Sequence, residues 1–271
     1  MVYRLSGLLL VVSAVVGLIG QMVAAVRWQG HYYPAEHLIS DLGLTGCVPL
    51  RDVFGPRYIC SPGHDWFNRG LVLAGALQVV AAVMLLPAGR GHNRRDTVAG
   101  HRWVGVLVGI AGMCLGTVGW YPRDVMGGIH DIAGVLYAVA MWWAMIIAVR
   151  ATSHATDRHL LPMVHGSYRG WTIVMLLVSI GGFLALIALG PFTNLPGFFE
   201  RLWFGMLAGW TAVLGAALWR KPTWRQHEQR KWQRRSERDA HREEIDDALR
   251  KAVETLDNNQ SNRADQTRSG L

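Results

Sequence analysis

The sequence has no lysine, arginine, aspartate, glutamate or histidine in the middle of any of its six long apolar stretches. Ion-coupled transporters usually carry an ionisable residue inside the membrane, so this absence argues against that class. No His-Glu-x-x-His motif occurs either, which removes the usual ligand pair of a helical zinc protease. A haem protein would need axial histidines inside the stretches, whereas the histidines lie mainly in the connections.

The six apolar stretches are each about as long as a helix that crosses the hydrocarbon core, which takes about 20 residues. A helix also satisfies its own backbone hydrogen bonds in lipid. The sequence therefore predicts an all-α, polytopic integral membrane protein, a bundle of six transmembrane helices with little room for a soluble catalytic domain. The predicted spans are roughly Leu5–Val26, Trp66–Pro87, Trp103–Tyr121, Ile132–Val149, Trp171–Gly190 and Leu202–Trp219. The transmembrane domain is thus expected at 1–219, and a tail at 220–271.

Positive charge is confined to alternate connections. The formal net charge is +8, and arginines gather at 88–102, at 150–170 and directly after Trp219. Positively charged loops stay in the cytoplasm, so both termini are predicted to be cytoplasmic. The same rule accounts for the charge excess, and no nucleic-acid partner is predicted. Arg4 and the following apolar run are also compatible with a signal peptide, but the length of the run favours a retained helix. The composition favours a bacterial cell membrane.

The longest connection is an outer loop at about 27–65, with four prolines and several glycines. These residues exclude one continuous helix, although His37–Leu42 is compatible with a short interfacial turn. Cys47 and Cys60 both lie in this loop. Outside the cytoplasm such a pair oxidises, so a disulfide is predicted, with two free thiols as the alternative. Cys114, inside the third stretch, is expected to be a packing residue.

The tail differs in composition from the rest of the chain. Its first part is basic with interleaved tryptophans, which predicts a contact with anionic lipid; a plain stop signal after the last span is the alternative. The lipid-contacting residues are expected to be Arg220, Lys221, Trp224 and Arg225. Residues 236–256 are expected to be helical with a thin apolar stripe, and Asp257–Leu271 to be disordered.

Four short runs at the outer ends of the spans point to a family. They are Ile39-Ser40-Asp41-Leu42-Gly43, Phe67-Asn68-Arg69-Gly70-Leu71, Tyr121-Pro122-Arg123-Asp124 with Gly128-Ile129-His130-Asp131 behind it, and Gly197-Phe198-Phe199-Glu200-Arg201. In this order, the set resembles the prokaryotic membrane family called domain of unknown function 998, over about Leu5–Trp219. The resemblance implies a six-helix fold and a set of polar residues, but no activity. The outer loop is longer than in the family and carries two cysteines, and the Pro122–His130 segment is compact.

We expect these polar residues to converge in one cup at the outer mouth of the bundle. Three interpretations remain open: each residue has a local structural role, the cup binds a lipid headgroup through forked arginines, or it is a metal-assisted hydrolase. The favoured prediction is a non-enzymatic protein that binds a lipid headgroup or envelope component, without metal or cofactor; a hydrolase acting on lipid is the alternative. Gly-xxx-Gly spacings in the predicted helices are also compatible with a homo-oligomer. The candidate residues are Ser40, Asp41, Asn68, Arg69, Asp124, His130, Asp131, Glu200 and Arg201.

Overall fold

The computed structural model describes residues 2–86, 95–153, 166–219 and 232–251. It confirms an all-α membrane protein, because six of its helices are long and apolar enough to cross a membrane. The chain divides into two compact units, Met1–Lys221 and Pro222–Leu271. The helices of the first unit are α1 (Val2–Val26), α2 (His64–Leu85), α3 (Arg95–Trp120), α4 (Arg123–Ser153), α5 (Gly166–Ala188) and α6 (Pro196–Trp219).

The six helices pack mainly as neighbours in the chain. Consecutive helices from α1 to α4 pack together, α6 packs on both α1 and α5, and α4 and α5 meet only weakly. Large apolar side chains such as Leu18 and Leu177 remain 55% and 63% exposed. In water this pattern would be costly, but it is the expected surface of helices that face lipid tails.

Glycines allow the closest helix crossings. A Cβ atom on Gly112 of α3 would lie 2.7 Å from the carbonyl oxygen of Gly75 on α2. One on Gly215 of α6 would lie 2.6 Å from the carbonyl oxygen of Gly7 on α1. No side chain fits at such distances, so the backbones approach closely, as small-residue spacings permit.

The outer loop contains a β-hairpin that the sequence analysis did not predict. Strand β1 (Val48–Asp52) pairs antiparallel with β2 (Gly55–Ile59), from Val48–Ile59 to Asp52–Gly55. The two turn residues, Val53 and Phe54, both have negative φ, and Gly55 directly after them has a φ of +93°. A type I turn in a hairpin is commonly followed by a residue in this conformation, which glycine adopts without strain. A 3-10 turn, Ser40–Gly43, precedes the hairpin, at the position where a short interfacial turn was expected.

The predicted disulfide is confirmed. Cys47 and Cys60 are bonded, with their Cα atoms 4.1 Å apart. They are the next facing residues beyond the Val48–Ile59 pair, so the bond closes the open end of the hairpin.

All six helices begin earlier than the apolar stretches suggested, and α3, α4 and α6 do so by six residues or more. Helix α4 begins at Arg123 rather than near Ile132, and a break at Met126 (φ −142°, ψ 63°) interrupts its first turns. Helix α6 begins at Pro196 rather than near Leu202, consistent with the preference of proline for the first helical position. Hydropathy detects only the apolar part of a helix, so it missed first turns that carry polar residues.

The second unit contains one described helix, α7, at residues 232–251, and every side chain along it is exposed. The predicted lipid-contacting residues Arg220, Lys221, Trp224 and Arg225 lie outside the described residues. The predicted disorder at Asp257–Leu271 lies outside them as well.

Candidate functional site

The hairpin lies over one end of the six-helix unit, which we call the hairpin end: the outer loop, the α3–α4 turn and the α5–α6 turn. Ile59 of β2 belongs to a buried cluster with Ala24 of α1 and Phe67 of α2. At the hairpin tip, Phe54 lies against Gly190, where an added Cβ would come within 3.0 Å of its ring. The hairpin therefore spans from the α1–α2 side to the end of α5.

A buried ion pair fixes the hairpin to the preceding loop. Arg57 of β2 donates from Nε to Asp41 Oδ2 at 2.8 Å and from Nη2 to Asp41 Oδ1 at 2.9 Å. The Asp41 side chain is fully buried and that of Arg57 is 9% exposed. The backbone N–H of Leu38 also donates to Asp41, at 2.9 Å. Such a two-pronged arrangement is the strong, geometrically specific form of the arginine–carboxylate pair.

The charges continue from Arg57 to helix α4. Arg57 also donates to both oxygens of Asp52, at 2.7 and 3.0 Å. Arg123, at the start of α4, lies 3.5 Å from Asp52 and 3.4 Å from Asp131. Positive and negative side chains thus alternate from the 3-10 turn through the hairpin to α4, which gives the hairpin a second, charged anchor.

For Asp52 and Arg57, the effect of ion pairing on the pKa outweighs the opposite effect of burial. Burial alone would raise the pKa of Asp52, but hydrogen bonds from Arg57 and from the Phe54 N–H, with the Arg57 and Arg123 charges, hold it below its ordinary value. Burial alone would lower the pKa of Arg57, but hydrogen bonds and charge attraction from Asp41 and Asp52 raise it. Asp52 and Arg57 are therefore held in their ionised forms.

Glu200 fixes the loop to α6. It is only 6% exposed, and its Oε2 accepts hydrogen bonds from the backbone N–H of Ile39 and, at 3.4 Å, of Ser40. Ser40 contacts Glu200 through its backbone N–H and also through its side chain. A carboxylate that is almost fully buried requires such donors, because burying it without hydrogen-bond partners would greatly reduce the stability of the fold.

Arg201, the next residue of α6, binds four oxygen atoms. Its Nη1 donates to the carbonyl oxygens of Pro34 at 2.5 Å, His37 at 2.8 Å and Gly197 at 2.8 Å. Its Nη2 donates to the hydroxyl of Tyr32. Burial raises the pKa of Tyr32, with the Arg201 charge opposing the effect, so the phenol stays neutral. Arg201 thus joins the start of the outer loop to α6.

Asn68 and Asp124 contact the loop from other helices. Asn68 Nδ2 donates to the Gly43 carbonyl at 2.8 Å, while its Oδ1 is buried without a hydrogen-bond partner. Asp124 Oδ2 accepts from the N–H and the hydroxyl of Thr45, at 2.8 and 2.7 Å. Both side chains therefore bind the loop through its backbone groups, and Asp124 also binds the hydroxyl of Thr45.

His130 is turned toward the end of α3. Its Nδ1 lies 3.1 Å from the Val118 carbonyl oxygen and 3.0 Å from that of Tyr121. Carbonyl oxygens only accept, so Nδ1 must carry the proton. Nδ1 therefore cannot also be a metal ligand in this arrangement. Among the residues that the structure describes, no three His, Cys, Asp or Glu side chains come together as a metal-ligand group.

Arg69 lies apart from these contacts. Its side chain is 82% exposed and comes within 3.8 Å of Asp65. It is three residues from Trp66 on α2, so the two side chains share a helix face. The guanidinium of Arg27, at the end of α1, lies 6.0 Å from the ring centroid of Trp66. Arg27, Trp66 and Arg69 form an exposed group that we call the arginine–tryptophan patch.

The sequence analysis missed Arg57, Asp52 and Thr45 as parts of the hairpin end. The signal that would have found them is the alternation of side chains between the two faces of the hairpin. In the observed register, Asp52 and Arg57 share a hairpin face with Ile59, and Arg51 and Tyr58 share the other. A hairpin centred between the two cysteines would have placed Arg57 on the inner face beside the helix ends.

Comparison with known proteins gives a family but no closer relative. The family described as "Protein of unknown function (DUF998)" matches residues 11–217. No curated protein matches the chain, and no solved structure matches it.

Proposed function

Because the chain belongs to the DUF998 family, whose function is unknown, we propose its function from the hairpin end itself. We propose a non-enzymatic protein of the bacterial cell membrane that binds the anionic headgroup of a lipid at this end. The positive-inside rule places the hairpin end outside the cytoplasm. The bound lipid is then one of the outer leaflet.

The engaged polar residues support a binding role rather than a catalytic one. Asp41, Glu200 and Arg201 are all engaged in hydrogen bonds with groups of the outer loop. His130 directs its protonated nitrogen at two carbonyls. These residues rigidify the end of the bundle, and rigid support lowers the entropic cost of binding at its surface.

The arginine–tryptophan patch carries the proposal. Trp66 is 53% exposed at the start of a membrane-spanning helix, and tryptophan prefers the level of the lipid headgroups. Arg27 and Arg69 present guanidinium groups at that level, and guanidinium binds phosphate with paired donors. Asp65 lies 3.8 Å from Arg69 and offsets part of its charge, but the 82% exposure of the Arg69 side chain leaves it accessible.

The experiment is native mass spectrometry of the full-length protein with phosphatidylcholine or phosphatidylglycerol. We expect phosphatidylglycerol to be retained preferentially. Arg69→Gln should weaken its retention about fivefold, because a basic residue near an anionic surface contributes about 1 kcal/mol. Arg51→Gln is the matched control, since it removes the same charge from the face of the hairpin opposite Arg57.

Three results would contradict the proposal. Equal retention of both lipids would show that no anionic headgroup is selected. Equal loss in Arg69→Gln and Arg51→Gln would show that only the total charge of the hairpin end matters. Binding of a divalent metal that is lost in His130→Ala would instead favour the hydrolase alternative.

A further inference from the structure

Helix α7 of the second unit gathers four of its six basic residues on one side. Successive residues of a helix turn by about 100°, and on this basis Arg234, Arg238 and Arg242 follow one another along a single face. Arg235 borders that face, and Ile245 and Leu249 continue it toward the end of the helix. Both apolar side chains are exposed, at 47% and 59%. We call this side the arginine face.

The acidic residues lie off the arginine face, and Arg250 and Lys251 lie among them. The acidic residues number six, as do the basic ones, and therefore cancel the net charge of the helix. One of them, Glu244, pairs with His241 at 3.7 Å, away from the centre of the arginine face. The helix is thus not basic overall, and what distinguishes it is the segregation of charge. The acidic residues are Glu237, Asp239, Glu243, Glu244, Asp246 and Asp247.

We propose that the arginine face binds the anionic lipid surface of the membrane in which its own chain is embedded. A helix that gathers basic side chains and some apolar ones on one face is suited to lie in the plane of an anionic membrane interface. Charges separated by more than about 10 Å are largely screened in physiological salt. Since a helix is about 10 Å wide, Glu243 and Asp247 on the far side oppose the attraction only weakly. Glu237, Asp239 and Asp246 at the flanks offset part of it.

Because α7 is covalently attached to the membrane domain, the lipid surface of its own membrane is favoured over other anionic partners. The last span ends at Trp219 and α7 begins at residue 232. A dozen linking residues reach at most about 40 Å even when fully extended. The helix therefore meets its own membrane at a high effective concentration, whereas an RNA or a second protein would have to bind from solution.

The test uses the full-length protein in nanodiscs of phosphatidylcholine, with or without phosphatidylglycerol. An environment-sensitive fluorophore is attached at Ala248→Cys in a Cys114→Ser background, because Cys114 is the free cysteine. We expect the emission to shift to the blue only when phosphatidylglycerol is present. Arg238→Gln/Arg242→Gln should lower the ratio of bound to free helix about 30-fold, on the basis of about fivefold per arginine.

The matched control is Arg250→Gln/Lys251→Gln, which removes two positive charges from another side of the same helix. Glutamine is a good helix former, so neither pair of substitutions should unfold the helix. Retention of the shift in the control supports the arginine face. Equal loss in both variants, or a shift independent of phosphatidylglycerol, would overturn the proposal. A shift seen only with two copies in a disc would assign the face to helix pairing instead.

Discussion

Arg57 and Asp41 are joined by two parallel hydrogen bonds, of 2.8 and 2.9 Å, and the Asp41 side chain is fully excluded from solvent. They come from different parts of the outer loop, the second strand of the hairpin and the 3-10 turn that precedes it. The same guanidinium binds Asp52. One arginine therefore holds together the two folded parts of the outer loop.

Replacing Arg57 by leucine should destabilise the protein strongly. Removing one partner of a buried ion pair leaves the other charge uncompensated, which costs about 3–5 kcal/mol. The measurement is thermal or denaturant unfolding in detergent, followed by protease sensitivity of the outer loop. Arg51→Leu on the same hairpin is the control and should change the free energy of unfolding by less than about 0.5 kcal/mol.

A double variant distinguishes the uncompensated charge of Asp41 from general damage to the hairpin as the cause of the lost stability. In Arg57→Leu/Asp41→Leu the buried carboxylate is gone, so part of the lost stability should return. If the double variant is as unstable as the sum of the single variants, the uncompensated charge is not the reason for the loss.

Acid should weaken the link between the hairpin and α4 through Asp52. The pKa of this carboxyl is lower in the folded protein than its ordinary 3.8. The ionised form is therefore favoured by folding, and its contribution is complete above the unfolded pKa. That contribution is lost as the pH falls below about 4 and through the lower folded pKa. Unfolding followed from neutral pH to about pH 2 should show this loss in the wild type.

Asp52→Asn provides the comparison, because it cannot change charge in this range. The variant should have a lower free energy of unfolding than the wild type at neutral pH, and this difference should become smaller toward low pH. A difference that stays constant across the range would mean that Asp52 stabilises the hairpin by its shape or hydrogen bonds, not by its charge.

Arg201 and Arg69, two arginines of the same candidate set, should respond differently to lysine. Arg201 uses its planar fork to reach four oxygen atoms, from Pro34, His37, Gly197 and Tyr32. Lysine keeps the charge but cannot reproduce this geometry, so Arg201→Lys should cost about 1–3 kcal/mol through the charged hydrogen bonds lost to these oxygen atoms. Arg69→Lys should leave the melting temperature unchanged, because that side chain is 82% exposed. Equal effects on melting would contradict the structural role assigned to Arg201.

The six-helix fold was predictable because apolar length in lipid leaves few alternatives. The predicted positions of Asp41, Glu200 and Arg201 at one end of the bundle followed from the same topology. Their partners were not predictable, since six of them are backbone groups, of Pro34, His37, Leu38, Ile39, Ser40 and Gly197. Backbone atoms leave no residue-specific signal in a sequence.

The hairpin escaped prediction for a different reason. Pro49 and Pro56 lie inside its strands, and proline in an apolar run is ordinarily evidence against a strand. The two are tolerated here because a two-stranded hairpin has only edge strands. Arg57 was overlooked as a consequence, since its role depends on which face of that hairpin it occupies.

Reduction of the Cys47–Cys60 disulfide should loosen the hairpin without unfolding the helices. The bond closes a loop with a sequence separation of 13, and closing a loop of this size stabilises a chain by about 3 kcal/mol in the chain-entropy model. A two-stranded hairpin alone is marginal in water, so that contribution is large for residues 48–59. Amide hydrogen exchange of this segment should therefore accelerate after reduction, while exchange in the middle of α1 and α6 stays slow. The variant Cys47→Ser/Cys60→Ser should behave like the reduced protein, and Cys114→Ser like the oxidised one. Unchanged exchange at 48–59 would mean that the Arg57 ion pairs and the burial of Ile59 hold the hairpin without the covalent bond.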